Sequence, residues 1–284
     1  MQKIIKSIYE QEDNFLVEDI YPNGTKCYVL FSSNGLYQNI DEDEIYNRIV
    51  RDNRYEWKSM ADSFKYHKDL ARIIYIRDVY TAFYIYGINK EIDSLDKVIE
   101  KIAELCKGYE VITAGVSSGG YLASICAIKI KAKCAYTFSG QFDIWERIME
   151  EDRRYCRDKF GNYKYMNIST MIQDNPDIPI YYFCPIGCDH DYDNYQRVKG
   201  IHNVYCFLFP DKKHAATVYP FNFPDLLFTS NKKMERLYAR YKGQMINKKY
   251  FYLRTVTVRG LLTLIHYLKI SGFDISRLRR KWDI

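Results

Sequence analysis

An α/β fold with a mostly parallel sheet is what this 284-residue sequence predicts, on three observations. Short runs of β-branched and aromatic residues alternate with segments whose apolar residues recur at helical spacing. Residues 109–130, YEVITAGVSSGGYLASICAIKI, pass from β-type residues through a tight turn into a small-residue run suited to a helix packed close on a sheet. Several of the strand-like runs end in short polar loops, where a parallel sheet collects functional groups. The expected architecture is a central sheet with helices on both faces, a small cap insertion and a basic helical C-terminal extension.

Taken in order, residues 4–9, 15–20 and 27–31 are expected to be three short strands. The brief spacers between them, one a Pro-Asn-Gly turn, favour antiparallel neighbours. A small polar loop, Ser32-Ser33-Asn34-Gly35, follows. Residues 41–68 are expected to be mainly helical, with Trp57 and Met60 as core contacts, and residues 72–76 to be a buried strand. An aromatic connection over 79–89 leads to a helix over about 94–106, with Leu95, Val98, Ile99, Ile102 and Leu105 on one face and Gly108 ending it. Beyond the organising stretch, strands are expected over 133–138, 178–184 and 204–209, and a helix over 191–199. Residues 143–177 break the rhythm with charged and aromatic residues and read as a cap over the sheet edge. The main domain is assigned to residues 1–223 and the extension, packed on that core, to 224–284.

Composition narrows the class. With 47% hydrophobic and 27% charged residues the chain can bury a full core as one large domain. No window of about 18 apolar residues is free of charge, and acidic residues occupy the N-terminal stretch where a signal peptide needs its apolar core. A cytoplasmic protein is expected, peripheral to the inner membrane face if the basic C-terminus engages it. The eight cysteines lie mostly in apolar segments and are expected to be reduced core residues. Cys184 and Cys188, four apart, make no zinc pattern with any second pair, so no metal is expected.

The turn itself carries chemistry. In Gly115-Val116-Ser117-Ser118-Gly119, glycine stands two residues before and two after Ser117, the spacing a nucleophile elbow needs for strand and helix to approach without clash. Ser118 has Val116 two before it and fits less well. A serine hydroxyl needs a base, and the base a carboxylate to orient it. Asp189, after the 178–184 strand, and His214, after the 204–209 strand, complete the order Ser, Asp, His. Asp191 and Asp193 stay open as rivals to Asp189, which lies nearest the strand end. Among the other histidines, His67 and His202 precede strands at the wrong end of the sheet, His266 suits helix packing, and His190 suits a pocket wall.

With these residues the chain resembles the α/β-hydrolases over roughly residues 1–220. The blocks FSSNGLY (31–37), GVSSGG (115–120) and FSGQFD (138–143), with the His214 loop, resemble a bacterial group encoded among genes for capsule and surface-polysaccharide synthesis, some members of which are sugar O-acetyltransferases. The resemblance implies an oxyanion hole from the Ser118 N–H and a second N–H in the 32–35 loop, assigned to Ser33. That loop lacks the His-Gly-Gly-Gly form of many lipases. Asn34, Gln141, Arg153, Arg154 and Arg157 are expected on the substrate side, the arginines facing a polar or anionic sugar. The function expected is O-acetyl transfer to, or removal from, a sugar or polysaccharide precursor. The alternative is an inactive hydrolase fold serving as a scaffold. Hydrolysis needs no cofactor; transfer needs acetyl-CoA or another acyl donor. Residues 224–284 hold 14 Lys and Arg against 4 Asp and Glu, a local charge of +10 that leaves −4 for the rest. No nucleic-acid motif accompanies it. Two partners suit that charge, an anionic membrane surface, with the basic tail at 277–282 as the contact, or a phosphate-bearing glycan precursor; the alternative is a solvated helical appendage that aids solubility or dimer formation, and a homo-oligomer is left open.

Overall fold

The computed structural model describes residues 2–37, 41–64, 67–257, 261, 262, 264 and 265. Seven strands form one sheet: β1 (Phe15–Asp19), β2 (Lys26–Phe31), β3 (Leu70–Ile76), β4 (Glu110–Val116), β5 (Cys134–Phe138), β6 (Ile180–Pro185) and β7 (Val204–Phe209). Their order across the sheet is β1-β3-β2-β4-β5-β6-β7. Only β1 runs antiparallel, against β3; the other five pairings are parallel.

Parallel strands covered on both faces must be apolar on both faces. Period-two alternation deals their side chains between two cores. On one face Cys27, Val29, Ile74, Ile76, Ile180, Tyr182 and Cys206 pack under the helices Leu95–Leu105 and Ser118–Lys129. On the other, Tyr28, Leu30, Tyr136, Phe138, Tyr181, Phe183, Phe207 and Phe209 meet Trp57, Leu226, Met234 and Phe251. Much of the chain's Phe and Tyr goes into this second core. Phe183 lies 4.6 Å from Phe138 and 5.0 Å from Phe207, ring centre to ring centre, across three neighbouring strands.

Two expectations for the N-terminus are corrected. Residues 4–9 belong to a helix, Gln2–Gln11, not a strand. Ile4 and Ile8 stand four apart on one helical face, and Ile8 is buried against Ile45, Ile49 and Val79. The strands β1 and β2 do not form a hairpin. β3 lies between them, antiparallel to one and parallel to the other, so the Pro-Asn-Gly turn connects two strands that do not touch.

The 143–177 segment contains the helices Glu150–Phe160 and Ser169–Gln173. It is anchored by buried Ile144, Ile148, Cys156, Tyr165, Ile168 and Ile172, and by a hydrogen bond from the Tyr121 hydroxyl to the Tyr165 carbonyl. Past residue 223 the described residues form the helices Phe223–Leu227, Asn231–Tyr241 and Lys248–Thr255, with Met234, Leu237 and Phe251 buried on the sheet. Among the described residues no helix is long and apolar enough to cross a membrane. The basic tail at 277–282 and His266 lie outside the described residues.

Candidate active site

Ser117 sits between the end of β4 and the helix Ser118–Lys129 with φ +53° and ψ −118°. That conformation costs a non-glycine residue on the order of 1–3 kcal/mol and persists only where the surroundings enforce it. They do so here. The Ser117 N–H donates to the Phe138 carbonyl at 2.9 Å, and the Ser117 carbonyl accepts from the Tyr121 N–H at 3.1 Å. A Cβ on Gly115 would lie 2.2 Å from the Gly119 carbonyl carbon, and one on Gly119 would lie 2.4 Å from the Phe31 oxygen. Both clashes are with backbone, so glycine at these two positions is what lets β4, its helix and β2 converge behind the serine.

His214 lies in the loop after β7. Its Nδ1 is 2.8 Å from Asp191 Oδ2 and its Nε2 is 2.9 Å from Ser117 Oγ. A carboxylate can only accept, so the ring proton sits on Nδ1 and Nε2 is left to accept from the serine hydroxyl. Asp191 is fully buried, whereas the His214 side chain is about one-third exposed. The loop is held by the Ala215 N–H, which donates to Ser139 Oγ at 3.1 Å with Ala215 at φ +63°. It is held from the far side by Lys248, whose Nζ donates to the Ala216 carbonyl at 3.0 Å and pairs with Asp211 at 2.8 Å.

The carboxylate beside His214 is therefore Asp191, not Asp189. The helix after β6 starts at Asp189 rather than 191. Two residues along a helix are about 200° apart round its axis, so Asp189 and Asp191 face opposite ways. Asp191, Asn194 and Val198 form the buried face, while Asp189 and Asp193 are exposed. The other carboxylate oxygen, Asp191 Oδ1, is buried with no hydrogen-bond partner among the described residues.

The expectation for Ser33 meets a competing bond. The Ser33 N–H is already committed, donating to Glu56 Oε2 at 2.5 Å while Ser33 Oγ donates to Oε1 at 3.0 Å. Burial pushes the Glu56 carboxyl above its usual range, and the Ser33 bonds oppose that shift. The next N–H, that of Asn34, donates to Ser118 Oγ at 3.0 Å, and this hydroxyl donates back to Asn34 Oδ1 at 2.8 Å. Ser118 thus uses its side chain to pin the 32–35 loop to the turn at Ser117. As the first residue of its helix, its own N–H has no intrahelical acceptor.

Around this centre Gln141 is buried, with Nε2 3.3 Å from His190 Nε2 and Oε1 accepting from Asn194 Nδ2 at 2.8 Å. The His190 ring lies 4.5 Å from the His214 ring, centre to centre. Burial lowers the His190 pKa; Asp191 works against that shift, and the positive Arg147 reinforces it. The three arginines expected at the site do not bond to it. Arg153 donates to Glu150 and to the Trp145 carbonyl, Arg157 donates to Glu150, and Arg154 is exposed. Glu150 opens the cap helix, which draws both guanidinium groups back onto their own segment. Asn194 and Arg147 were not singled out in the sequence. The helical spacing from Asp191 to Asn194 is the signal for the first; none marks the second.

One further cluster falls here. Single donor atoms of Cys188, His190, Asp191 and His214 lie within 4.8 Å of one another, a set that could hold a metal ion. Cysteine spacing does not see such a set, because Cys188, His190 and Asp191 stand at the start of the helix after β6, His214 lies in the loop after β7, and only one cysteine takes part.

With Ser117 after β4, Asp191 after β6 and His214 after β7, on a seven-stranded and mostly parallel sheet, the fold is that of the α/β-hydrolases. No protein-family model and no curated protein matches the chain in sequence. Similar solved structures include the capsule O-acetyltransferase of Neisseria meningitidis serogroup A, at 14% identity over 72% of this chain and 90% of that one, with a TM-score of 0.48. An α/β-hydrolase enzyme from a lagoon-sediment metagenome is 16% identical over 82% and 97%, with a TM-score of 0.43. A glycosylation-associated protein complex from Streptococcus agalactiae is 16% identical over 82% and 46%, with a TM-score of 0.46. These are likenesses of fold.

Proposed function

We propose that this protein is a serine enzyme that transfers or hydrolyses an acyl group, and that its substrate is an O-acetylated or acetyl-accepting sugar of a polysaccharide precursor. The observation that carries the reading is the bonded chain Ser117–His214–Asp191, at 2.9 and 2.8 Å, behind a serine held at positive φ. The sugar substrate is favoured by the sequence blocks at 31–37, 115–120 and 138–143, which meet around that chain.

Ser117 Oγ attacks the ester or thioester carbonyl as His214 Nε2 takes its proton. Asp191 keeps the imidazole in the required tautomer and stabilises its charged form. The tetrahedral oxyanion is met by the Ser118 N–H and by the Asn34 N–H, which exchanges the Ser118 hydroxyl for it. Asn34 is preferred to Ser33 because its N–H rests on a neutral hydroxyl, whereas Ser33 is gripped by a carboxyl group. The intermediate collapses with loss of the alcohol or thiol, which receives the proton from His214. Water or a sugar hydroxyl then gives its proton to His214 and takes the acyl group, and His214 returns the proton to Ser117 Oγ as that oxygen leaves. In the transfer direction acetyl-CoA or another activated donor supplies the acyl group.

A fluorophosphonate probe tests this directly. Mass spectrometry is expected to map one adduct to Ser117, absent from Ser117→Ala and retained in Ser118→Ala. An adduct on Ser118, or on no serine, would refute the assignment and leave a non-catalytic scaffold as the reading.

A further inference from the structure

We propose that Cys188, His190, Asp191 and His214 form a binding site for a thiophilic divalent cation of the zinc class, and that filling it switches Ser117 off reversibly. The inhibitory half rests on the serine-enzyme reading above; the binding half does not.

The donor set is one thiol, two imidazoles and one carboxylate, all ligand types that zinc takes. Their arrangement suits a four-coordinate ion. Cys188 Sγ stands 3.6 Å from His190 Nδ1. Zn–S and Zn–N bonds of about 2.3 and 2.05 Å at a tetrahedral angle put S and N about 3.6 Å apart. With one donor atom from each residue, no pair of donors in the set is more than 4.8 Å apart. Small side-chain rotations close the remaining gaps.

An independent observation points the same way. Asp191 Oδ1 is wholly buried and without a partner, while Oδ2 is taken by His214. A buried carboxylate oxygen left unsatisfied is costly, and a cation on that oxygen removes the cost. The histidine and cysteine side of the cluster is partly open, with the His190 and His214 side chains about three-tenths exposed, so an ion has a way in. The other seven cysteines are buried, which leaves Cys188 as the accessible thiol.

Binding balances as Zn²⁺ plus the Cys188 thiol giving a zinc thiolate and one released proton, with both imidazoles entering neutral. The consequence for Ser117 follows from the shared residues. An ion bound to Asp191 draws charge from the carboxylate that orients His214, and an ion on His214 removes the base itself. Either way the serine loses its proton acceptor until a chelator takes the ion away.

Cobalt(II) titration of the full chain under reducing, anaerobic conditions tests the site without any assay of turnover. One equivalent is expected to bind, with a thiolate-to-cobalt charge-transfer band in the near ultraviolet and the visible bands of a tetrahedral ion, both displaced by zinc. Cys188→Ser is expected to lose the charge-transfer band and to bind about tenfold or more weakly; His190→Gln should weaken binding similarly. No band at millimolar cobalt, or an equal band and affinity in Cys188→Ser, would overturn the site. In parallel, zinc is expected to slow fluorophosphonate labelling of Ser117 about tenfold in the unmodified protein, reversibly with EDTA, and to leave labelling of Cys188→Ser unchanged. A normal cobalt spectrum with labelling indifferent to zinc would overturn the switch. A protein that never labels would refute the serine reading, with the cobalt spectrum still deciding the site.

Discussion

The two halves of the candidate site are held by different means. On the nucleophile side the backbone does the positioning. Gly115 and Gly119 let β4, β2 and the following helix come within contact distance, and Ser117 is forced into its strained turn between them. On the side of Asp191 and His214 the positioning falls mainly to side chains. Asn194, Gln141, His190, Ser139 and Lys248 all brace the loops after β6 and β7. A backbone constraint allows few residue types and leaves a mark in the sequence. A side-chain constraint depends on which way a helix or loop has turned, and neighbouring residues of the same type can stand in for one another on paper.

The carboxylate gives the largest expected effect in that contrast. Asp191→Asn should lower the rate of Ser117 acylation by up to about 10⁴-fold, the scale on which loss of an orienting carboxylate is felt in serine enzymes. Asp189→Asn should leave it within about twofold, because Asp189 is exposed on the opposite face of the helix. Comparable losses at both positions, measured by probe labelling and by hydrolysis of a short-chain ester, would mean that the bond seen to His214 does not orient it.

This pair also marks where sequence reading gave out. The seven strands, the helix at Leu95–Leu105 and the turn around Ser117 are legible, since apolar periodicity and the glycine bracket report directly on packing. The acidic residue is not. DHDYD offers three candidates in five residues, and placing the helix start two residues late turns the wrong one toward His214. The N-terminal helix failed for a related reason, because Ile4, Ile5, Ile8 and Tyr9 fit either a short strand or one helical face, and only Ile45, Ile49 and Val79, far along the chain, decide it. The commitment of the Ser33 N–H depends on Glu56, 23 residues away, a contact with no local signature.

Stability should separate the two halves next. Gly119→Ala places a methyl 2.4 Å from the Phe31 carbonyl oxygen in the middle of the sheet, where β2 is paired on both sides and cannot give way. Overpacking of this kind should cost about 3 kcal/mol or more. Gly200→Ala, just past the helix that carries Asp191, meets nothing within 4 Å and should change stability by less than about 0.5 kcal/mol. Urea denaturation of the two variants gives the comparison. A mild Gly119→Ala would show that the nucleophile turn is looser than its contacts imply.

The smallest effect should come from Lys248, and it bears on whether the C-terminal helices serve the site. Residues past 223 are an extension beyond the main domain, yet Lys248 reaches from the helix Lys248–Thr255 to the His214 loop, pairing with Asp211 and donating to the Ala216 carbonyl. Both charges of the pair are about one-quarter exposed, so solvent screens them, and Lys248→Met should lower global stability by no more than about 1 kcal/mol. The effect expected on Ser117 is kinetic. Without Lys248 the loop loses one of its backbone anchors and keeps the Ala215 bond to Ser139, its own turn and the His214 bond to Asp191, so His214 Nε2 should spend less time within reach of Oγ. Probe labelling should slow about three- to fivefold, a loss near 1 kcal/mol. A purely structural role would lower the melting temperature and leave the labelling rate of the folded protein untouched. Lys248→Arg, which keeps the charge and a donor, should recover most of the rate if the lysine acts through the loop. If Lys248→Met labels at the unmodified rate below its melting transition, the acid–base side is held by β6, β7 and Ser139 alone, and the extension has no part in the chemistry.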